Sequence, residues 1–563
     1  MKESKGWPLP LGVTITKDYW NFSVAVPKGK TCRLLLYRAG ETRPCIIYDM
    51  EAALGEIHAI TLTELDGTVY EYNYEIDEEV TVDPYVKRLA GRSRWGEKRE
   101  LDAHEIRGVL NIENYDWEDD RQPDHARDEV VAYSLHVRGF TKDSYSQVTA
   151  KGTFEGVIEK LPYLTELGIN QIHCMPVYEF DECGKVPNYW GYGAAYYFAP
   201  KSAYSAVGNG AKSLKDMVKA CHKAGIEVIL EMPFDGAISV MEAIECLRYY
   251  RMEYHVDGFI LNPCLDCTKA AFLDPALKDL KLLTHRTDFQ NVMRRFLKGD
   301  EGMVEPVMYW LRHLGEEERI FNYITSHTGF TLNDLVSYDG KHNEANGENN
   351  FDGPDYNYSW NCGAEGPTRK KAVCVLRSRQ VRNALFLVFL AQGTPCLLAG
   401  DEFGNSQKGN NNVYCQDNPT GWVNWRGLKN NQEQWEFVKE LIHLRKRYRV
   451  FHPEEEMSGM DTVGCGVPDV SYHGESAWRV QSEISSRQLG IYYCDTSEER
   501  TDCFVIYNMH WLAHSFALPA LPKGRKWYRA ASTDEGVLKE PAFMKEQKAL
   551  EVDARTIVIL VGK

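Results

Sequence analysis

The chain offers no uninterrupted apolar run long enough to span a bilayer. Its longest, 384–400, is broken by Gln392, Gly393, Thr394 and Pro395, so no membrane segment is expected. The opening residues, MKESKGWPLPLG, lack the apolar core of a secretory leader. Positive charge is in deficit. A formal net charge of −16 argues against nucleic acid and anionic membranes as partners and suits a neutral polyol ligand. Cys264-Leu-Asp-Cys267 has no second CxxC to complete a zinc set and reads as core or loop cysteines. The 15 cysteines are odd in number and scattered, as expected of free thiols in a reducing compartment, here the cytoplasm. No glycine-rich phosphate loop is found, and neither a cofactor nor a metal is expected. What the chain does have is length, 563 residues, enough for about three or four domains. It also has 13 Trp and 32 Tyr, which serve equally as core residues or as flat faces for sugar rings.

Residues 7–85 alternate short apolar runs with turns (WNFSVAV, CRLLLY, IHAITL, VYEYNYEI), the period-2 pattern of an antiparallel sandwich. A polar, charged stretch, 91–128, follows as a linker. From about Val130 the pattern becomes strand, helix, strand: VVAYSLHVRGF, FEGVIEKLPYLTELG, INQIHCMPV, SLKDMVKACHKAG, IEVILEMPF, MEAIECLRYYRMEY, VDGFILN. Repeated units of this kind imply a parallel sheet buried on both faces. Polar residues at the strand ends fit a β/α barrel, whose sites lie on that face. A doubly wound sheet fits the same pattern but would want the missing phosphate loop. QLGIYYC, CFVIYNM, KWYRAA and RTIVILVG return the chain to β structure. The expected division is 1–95, an N-terminal β-sandwich; 96–460, a barrel with its lead-in linker; and 461–563, a C-terminal β-sandwich.

Nine segments, in order, carry a resemblance that covers nearly the whole chain: DPYVKRLAG (83–91), HVRGFT (136–141), NYWGYGAAYYFAP (188–200), VDGF (256–259), FLKGDEGM (296–303), GFTLNDLVSY (329–338), KHNEANGENN (341–350), SWNCGAEG (359–366) and GTPCLLAGDEFGNSQKGNNNVYCQDN (393–418). Together they resemble the isoamylase and glycogen-debranching branch of the α-amylase superfamily. The resemblance implies a glycan-binding-type sandwich, a TIM-type catalytic barrel and a C-terminal β domain. It also implies an active site where a nucleophilic Asp, an acid Glu and a stabilising Asp act on an α-glucan.

The departures fall on those catalytic positions. Where the family has Arg-x-Asp after VDGF, this chain has Ile260, Leu261 and Asn262. Asn262 keeps the shape of the nucleophile without its charge, and a retaining glycosidase needs an ionised carboxylate there. The third-strand motif Asp-x-x-x-Asn-His becomes 231–236, EMPFDG, with Gly236 in place of the sugar-bonding His. The excursion that follows it in the family is deleted. At the fifth strand, Leu280–Leu283 lead to Thr284 where the acid Glu belongs, and the loop there is also deleted. These deletions would shorten or distort the barrel. The His-Asp pair of the seventh strand becomes His327-Thr328. Substitute carboxylates would have to come from Glu231, Asp235, Asp257, Asp401 or Glu402, and strand alternation turns Asp257 to the face opposite Asn262.

For substrate contact the resemblance nominates Tyr189, Trp190, Tyr192 and His327, against a reading in which Trp190 only wedges the barrel and His327 only satisfies the core. The amides of 341–350 and 407–418 could bond sugar hydroxyls or one another. Three functions follow. The first is a non-catalytic homologue that binds α-glucan weakly or partners an active debranching or other glycogen-metabolism enzyme; some plant members of this family lacking catalytic residues serve so in hetero-oligomers. The second is an active α-1,6-glucosidase with relocated acid and base. The third is a purely structural subunit with a groove closed to sugar.

Overall fold

A computed structural model describes residues 1–97, 106–111, 114–261, 265, 267–316, 319–497 and 500–563. Asn262 and Cys264 lie outside the described residues.

The N-terminal region builds two antiparallel sheets. One runs in the order Lys2–Lys5, Ile57–Thr63, Tyr19–Ala25, Gly12–Ile15, with Glu51–Leu54 beside Ile57–Thr63. The other centres on Cys32–Arg38 paired with Tyr70–Ile76. Alternate residues of both, among them Trp20, Phe22, Leu34, Leu36, Tyr72 and Tyr74, point inward and form one apolar core. The expected boundary at 95 cuts the second sheet, because Arg107–Leu110 pairs with Tyr70–Ile76 from within the stretch read as a linker. Its charge concealed it: Arg107 is buried against Glu71 at 3.2 Å and stacks over Tyr37.

The central region is a parallel sheet in the order Lys281–Thr284, Gly258–Leu261, Glu227–Met232, Gln171–Cys174, Ala132–Leu135, Cys396–Leu398. Parallel bridges from Thr284 to Ile320 and from Asn322 to Pro395 close it into a ring through 320–322. Among the described residues, seven chain segments surround this core, one fewer than in an eight-stranded barrel. The strand Lys281–Thr284 is seated directly against Gly258–Leu261. A Cβ at Gly258 would lie 2.0 Å from the carbonyl oxygen of Lys281, so the glycine of VDGF permits the approach.

Inside the ring, Val130, Ala132, Ile229, Ile260, Phe321, Tyr323 and Cys396 form a packed apolar layer. The flanking helices have readable causes. The apolar run at 154–168 divides into Phe154–Glu159 and Leu161–Leu167 at Pro162, and Gly168 caps the second in the left-handed conformation. Asn209 caps Gly210–Lys223, and Ser239 caps Val240–Tyr254. HVRGF, read as strand, becomes the short helix Val137–Thr141, because the His136 side chain accepts the Gly139 N–H at 2.9 Å.

The C-terminal region is a six-stranded antiparallel sheet built on Gln488–Tyr493, Asp502–Asn508 and Thr556–Gly562, with a two-stranded sheet of His514–Ala517 and Ala549–Val552. It packs on the long helix Lys371–Leu390, where Asn383 accepts from Thr533 Oγ1 at 2.6 Å and donates to the Arg555 carbonyl at 2.8 Å. Among the described residues no helix is long and apolar enough to cross a membrane.

Candidate functional site

The C-terminal ends of the barrel strands converge on Tyr192, Glu231, His285, Tyr323 and His327. Glu231 lies on Glu227–Met232, one residue before its end. Tyr192 reaches in from the loop after the second strand. Its hydroxyl donates to Glu231 Oε1 at 2.5 Å and lies 2.7 Å from His327 Nε2. A phenol has one proton to give, so His327 supplies the proton of the second bond and is the neutral Nε2–H tautomer. Burial agrees, holding His327 down at about 4. His285 is likewise held at about 4 by burial and by His327, and its Nδ1 lies 3.0 Å from the Tyr323 hydroxyl. Burial raises the Glu231 carboxyl, opposed by the Tyr192 hydrogen bond and by His285.

Three of the four nominated substrate residues are buried. Tyr189 is 1% exposed, lies against the His136 ring at a centroid distance of 4.1 Å, and bonds Gly421 O through its hydroxyl. It is a core residue, contrary to expectation. Trp190 is 5% exposed and presents its edge to His327 at 5.0 Å, the wedge rather than an open platform. Tyr192 is half-buried with its hydroxyl engaged, and His327 is buried. The space left among His136, Met175, Tyr189, Trp190, His327 and Gln407 is about 40 Å³, room for a water molecule and not for a pyranose ring.

The altered catalytic positions scatter. Ile260 belongs to the apolar layer inside the ring. Gly236 is exposed with open space about it, Thr328 is exposed and touches Ser326 Oγ at 3.2 Å, and Thr284 is a half-buried ring residue whose N–H bonds Arg319 O.

The carboxylates that could have replaced the lost ones are engaged elsewhere. Asp257 points to the back of the barrel and accepts from Val228 N at 2.6 Å while pairing with His222. Asp235 accepts its own turn's Ala237 N–H at 2.9 Å. Asp401 is held by Leu332 N at 2.8 Å and by the Thr325 hydroxyl, and burial pushes it up to about 7. Glu402 accepts from Tyr133 and Tyr163 at 2.8 and 2.6 Å.

The amide-rich loops bond each other. Asn343 donates to Asn411 Oδ1 at 2.8 Å, and Asn411 N–H returns a bond to Asn343 Oδ1 at 2.9 Å. Asn346 and Asn412 both donate to Asp352, and Asn410 and Gln416 both donate to Asn346. Of the two roles open to these amides, cross-bracing is the one their geometry fills.

His285 and Tyr323 were not singled out from sequence, although both sit at barrel strand ends, a rule that could have found them. The lowered His327 carries a pH prediction. Unfolded, its imidazole takes up a proton near 6.5; folded, it refuses one until about 4. Its contribution is complete above pH 6.5 and is lost as pH falls toward 4. Urea titrations should show wild type losing about 3 kcal/mol relative to His327→Gln between pH 7 and pH 4. A gap that stays constant with pH would mean that His327 is not held neutral.

Comparison with known proteins places this geometry. A family model described as the alpha amylase catalytic domain matches residues 124–240. A glycogen operon protein GlgX homolog of Haemophilus influenzae is 32% identical over 75% of this chain and 82% of its own length. The chloroplastic isoamylase 3 of Oryza sativa subsp. japonica is 27% identical over 95% of this chain and 83% of its own. Among solved structures, type I pullulanase from Bacillus subtilis complexed with maltose superposes with a TM-score of 0.74 at 18% identity, covering 99% of this chain and 85% of that one.

Proposed function

Because this chain belongs to the isoamylase and glycogen-debranching branch of the α-amylase superfamily, we propose that it is a non-catalytic member that holds α-glucan weakly and serves as a regulatory or scaffolding partner of an active glycogen-metabolism enzyme. The observation that carries this reading is the Tyr192 hydroxyl, which occupies Glu231 and His327 together at the mouth of the barrel. A retaining glycosidase needs two carboxyl groups about 5–5.5 Å apart and free to act. Glu231, which reaches this mouth, is already bonded to a side chain of its own protein. Family membership and the maltose held by the B. subtilis pullulanase supply the ligand class. The positions Asn262, Ile260, Thr284, Gly236 and Thr328 are assigned as degenerate, and Tyr192 and His327 as the mouth residues nearest a bound glucan. We assign the protein to the cytoplasm, in keeping with the odd number and scattered spacing of its 15 cysteines.

The test is native electrophoresis through gels containing glycogen, with a reducing-end assay on the same preparation. Weak retardation, with an apparent Kd in the millimolar range (about −4 kcal/mol), is expected without hydrolysis. A folded protein that no glucan retards would leave only the structural-subunit role, which the filled mouth also suits. Turnover at ordinary enzyme rates would reinstate an active debranching enzyme.

A further inference from the structure

Away from the barrel mouth, residues 449–450, 453–458, 462, 469 and 494–497 line a cleft of about 540 Å³ beside the strand Gln488–Tyr493. The loop has a built shape. Asp469 accepts from the Ser458 N–H and hydroxyl at 2.8 and 2.9 Å and from Gly459 N–H at 2.7 Å. Asp461 accepts from Cys465 N–H and Gly466 N–H at 2.9 and 2.7 Å. Gly459, Gly464 and Gly466 take the positive φ that these turns require. The result sets the Cys465 sulfur 3.5 Å from that of Cys494, a residue 29 positions later that leaves the strand Gln488–Tyr493 and bonds Asp469 O through its N–H. The Arg500 guanidinium lies 3.7 Å from the Cys494 sulfur.

We propose that Cys465 and Cys494 are a reversible dithiol–disulfide pair, oxidised by a low-molecular-weight disulfide of the glutathione class, and that its closure pins the 458–469 loop along the cleft. Cys465 is half-buried and Cys494 buried, so attack begins at Cys465. Its thiol loses a proton to water, and the thiolate attacks one sulfur of the small disulfide. That S–S bond breaks, and the leaving thiolate takes up a proton. Cys494, deprotonated in turn, attacks the Cys465 sulfur of the mixed disulfide, forming the internal bond and expelling the second small thiol. Two protein thiols are oxidised and one small disulfide is reduced to two thiols. Burial pushes the Cys494 thiol up to about 12, with Arg500 opposing, which makes its step the slower one and faster in mild alkali.

The full-length reduced protein should be incubated with oxidised glutathione, alkylated, digested and mapped by mass, with limited proteolysis run in parallel. The expected map joins the Cys465 and Cys494 peptides, with the intact mass lowered by the two hydrogens of one disulfide. Cys494→Ser should stop at a single glutathione adduct on Cys465, and Cys465→Ser should carry none on Cys494. Cleavage within 458–469 should slow on the order of tenfold after oxidation and recover with dithiothreitol. Both cysteines remaining open to alkylation, or either pairing elsewhere, would overturn the pair. Unchanged cleavage of the loop after oxidation would overturn the pinning. The map is read on wild type, so it stands even if a serine variant fails to fold.

Discussion

Incubated with glycogen, pullulan or maltooligosaccharides, the protein should release reducing ends no faster than a blank. Removing members of a catalytic unit costs on the order of 10⁴–10⁶ in rate, and the losses do not add. On the proposed assignment, Asn262 holds the nucleophile position and Thr328 the stabilising one, with Thr284 at the end of the fifth strand. Glu231 cannot act alone. With Tyr192 donating to it and burial raising it, it is a poor nucleophile, and among the described residues no second carboxyl is hydrogen-bonded to it. Asn262→Asp should therefore stay at blank level as well, because a new carboxylate would lack both its acid partner and its Arg. Measurable debranching by that single variant would reveal a general acid that the geometry assigns elsewhere.

Ile260→Arg, which restores the residue type the family carries beside its nucleophile, should destabilise the fold by about 3–5 kcal/mol. Ile260 is 5% exposed and packs with Ile229, Phe321 and Tyr323, with Leu283 against the same layer. A guanidinium there would lose its water, and the carboxylate in cross-strand register with it, Glu231, is already held by Tyr192. Ile260→Leu, which keeps the volume, should cost less than about 1.5 kcal/mol and serves as the control. Denaturant midpoints at constant m-value measure both. A tolerated Arg would mean that the interior holds an anionic partner or water.

Much of the architecture was legible because period-2 and helix-period patterns are local properties. The β-rich ends and the strand-helix alternation between 130 and 261 were read in the right places. The misreadings share a cause. Arg107–Leu110 was taken for linker because its charge, read locally, hid a strand whose Arg is satisfied by Glu71, 36 residues away. Tyr189 was nominated for sugar because its motif is a substrate motif. Its burial depends on His136, 53 residues before it, and on Gly421, 232 after.

What the sequence determined by itself is which charges positions 260, 262 and 328 can carry. A side chain's charge resides in the residue, and Asn262 and Thr328 cannot supply a carboxylate, nor Ile260 a guanidinium, wherever they are placed. The missing segments likewise foretold a shortened barrel, and the ordered motifs its family. Only the tertiary structure decided what stands at the mouth. Tyr192 meets Glu231 across 39 residues and His327 across 135, and Asn343 meets Asn411 across 68. No periodicity encodes such pairings, because hydrogen bonds between distant segments follow from how the strands close the ring. A tyrosine able to stack on sugar and one that bonds its own protein are the same letter, and the ring's closure distinguishes them.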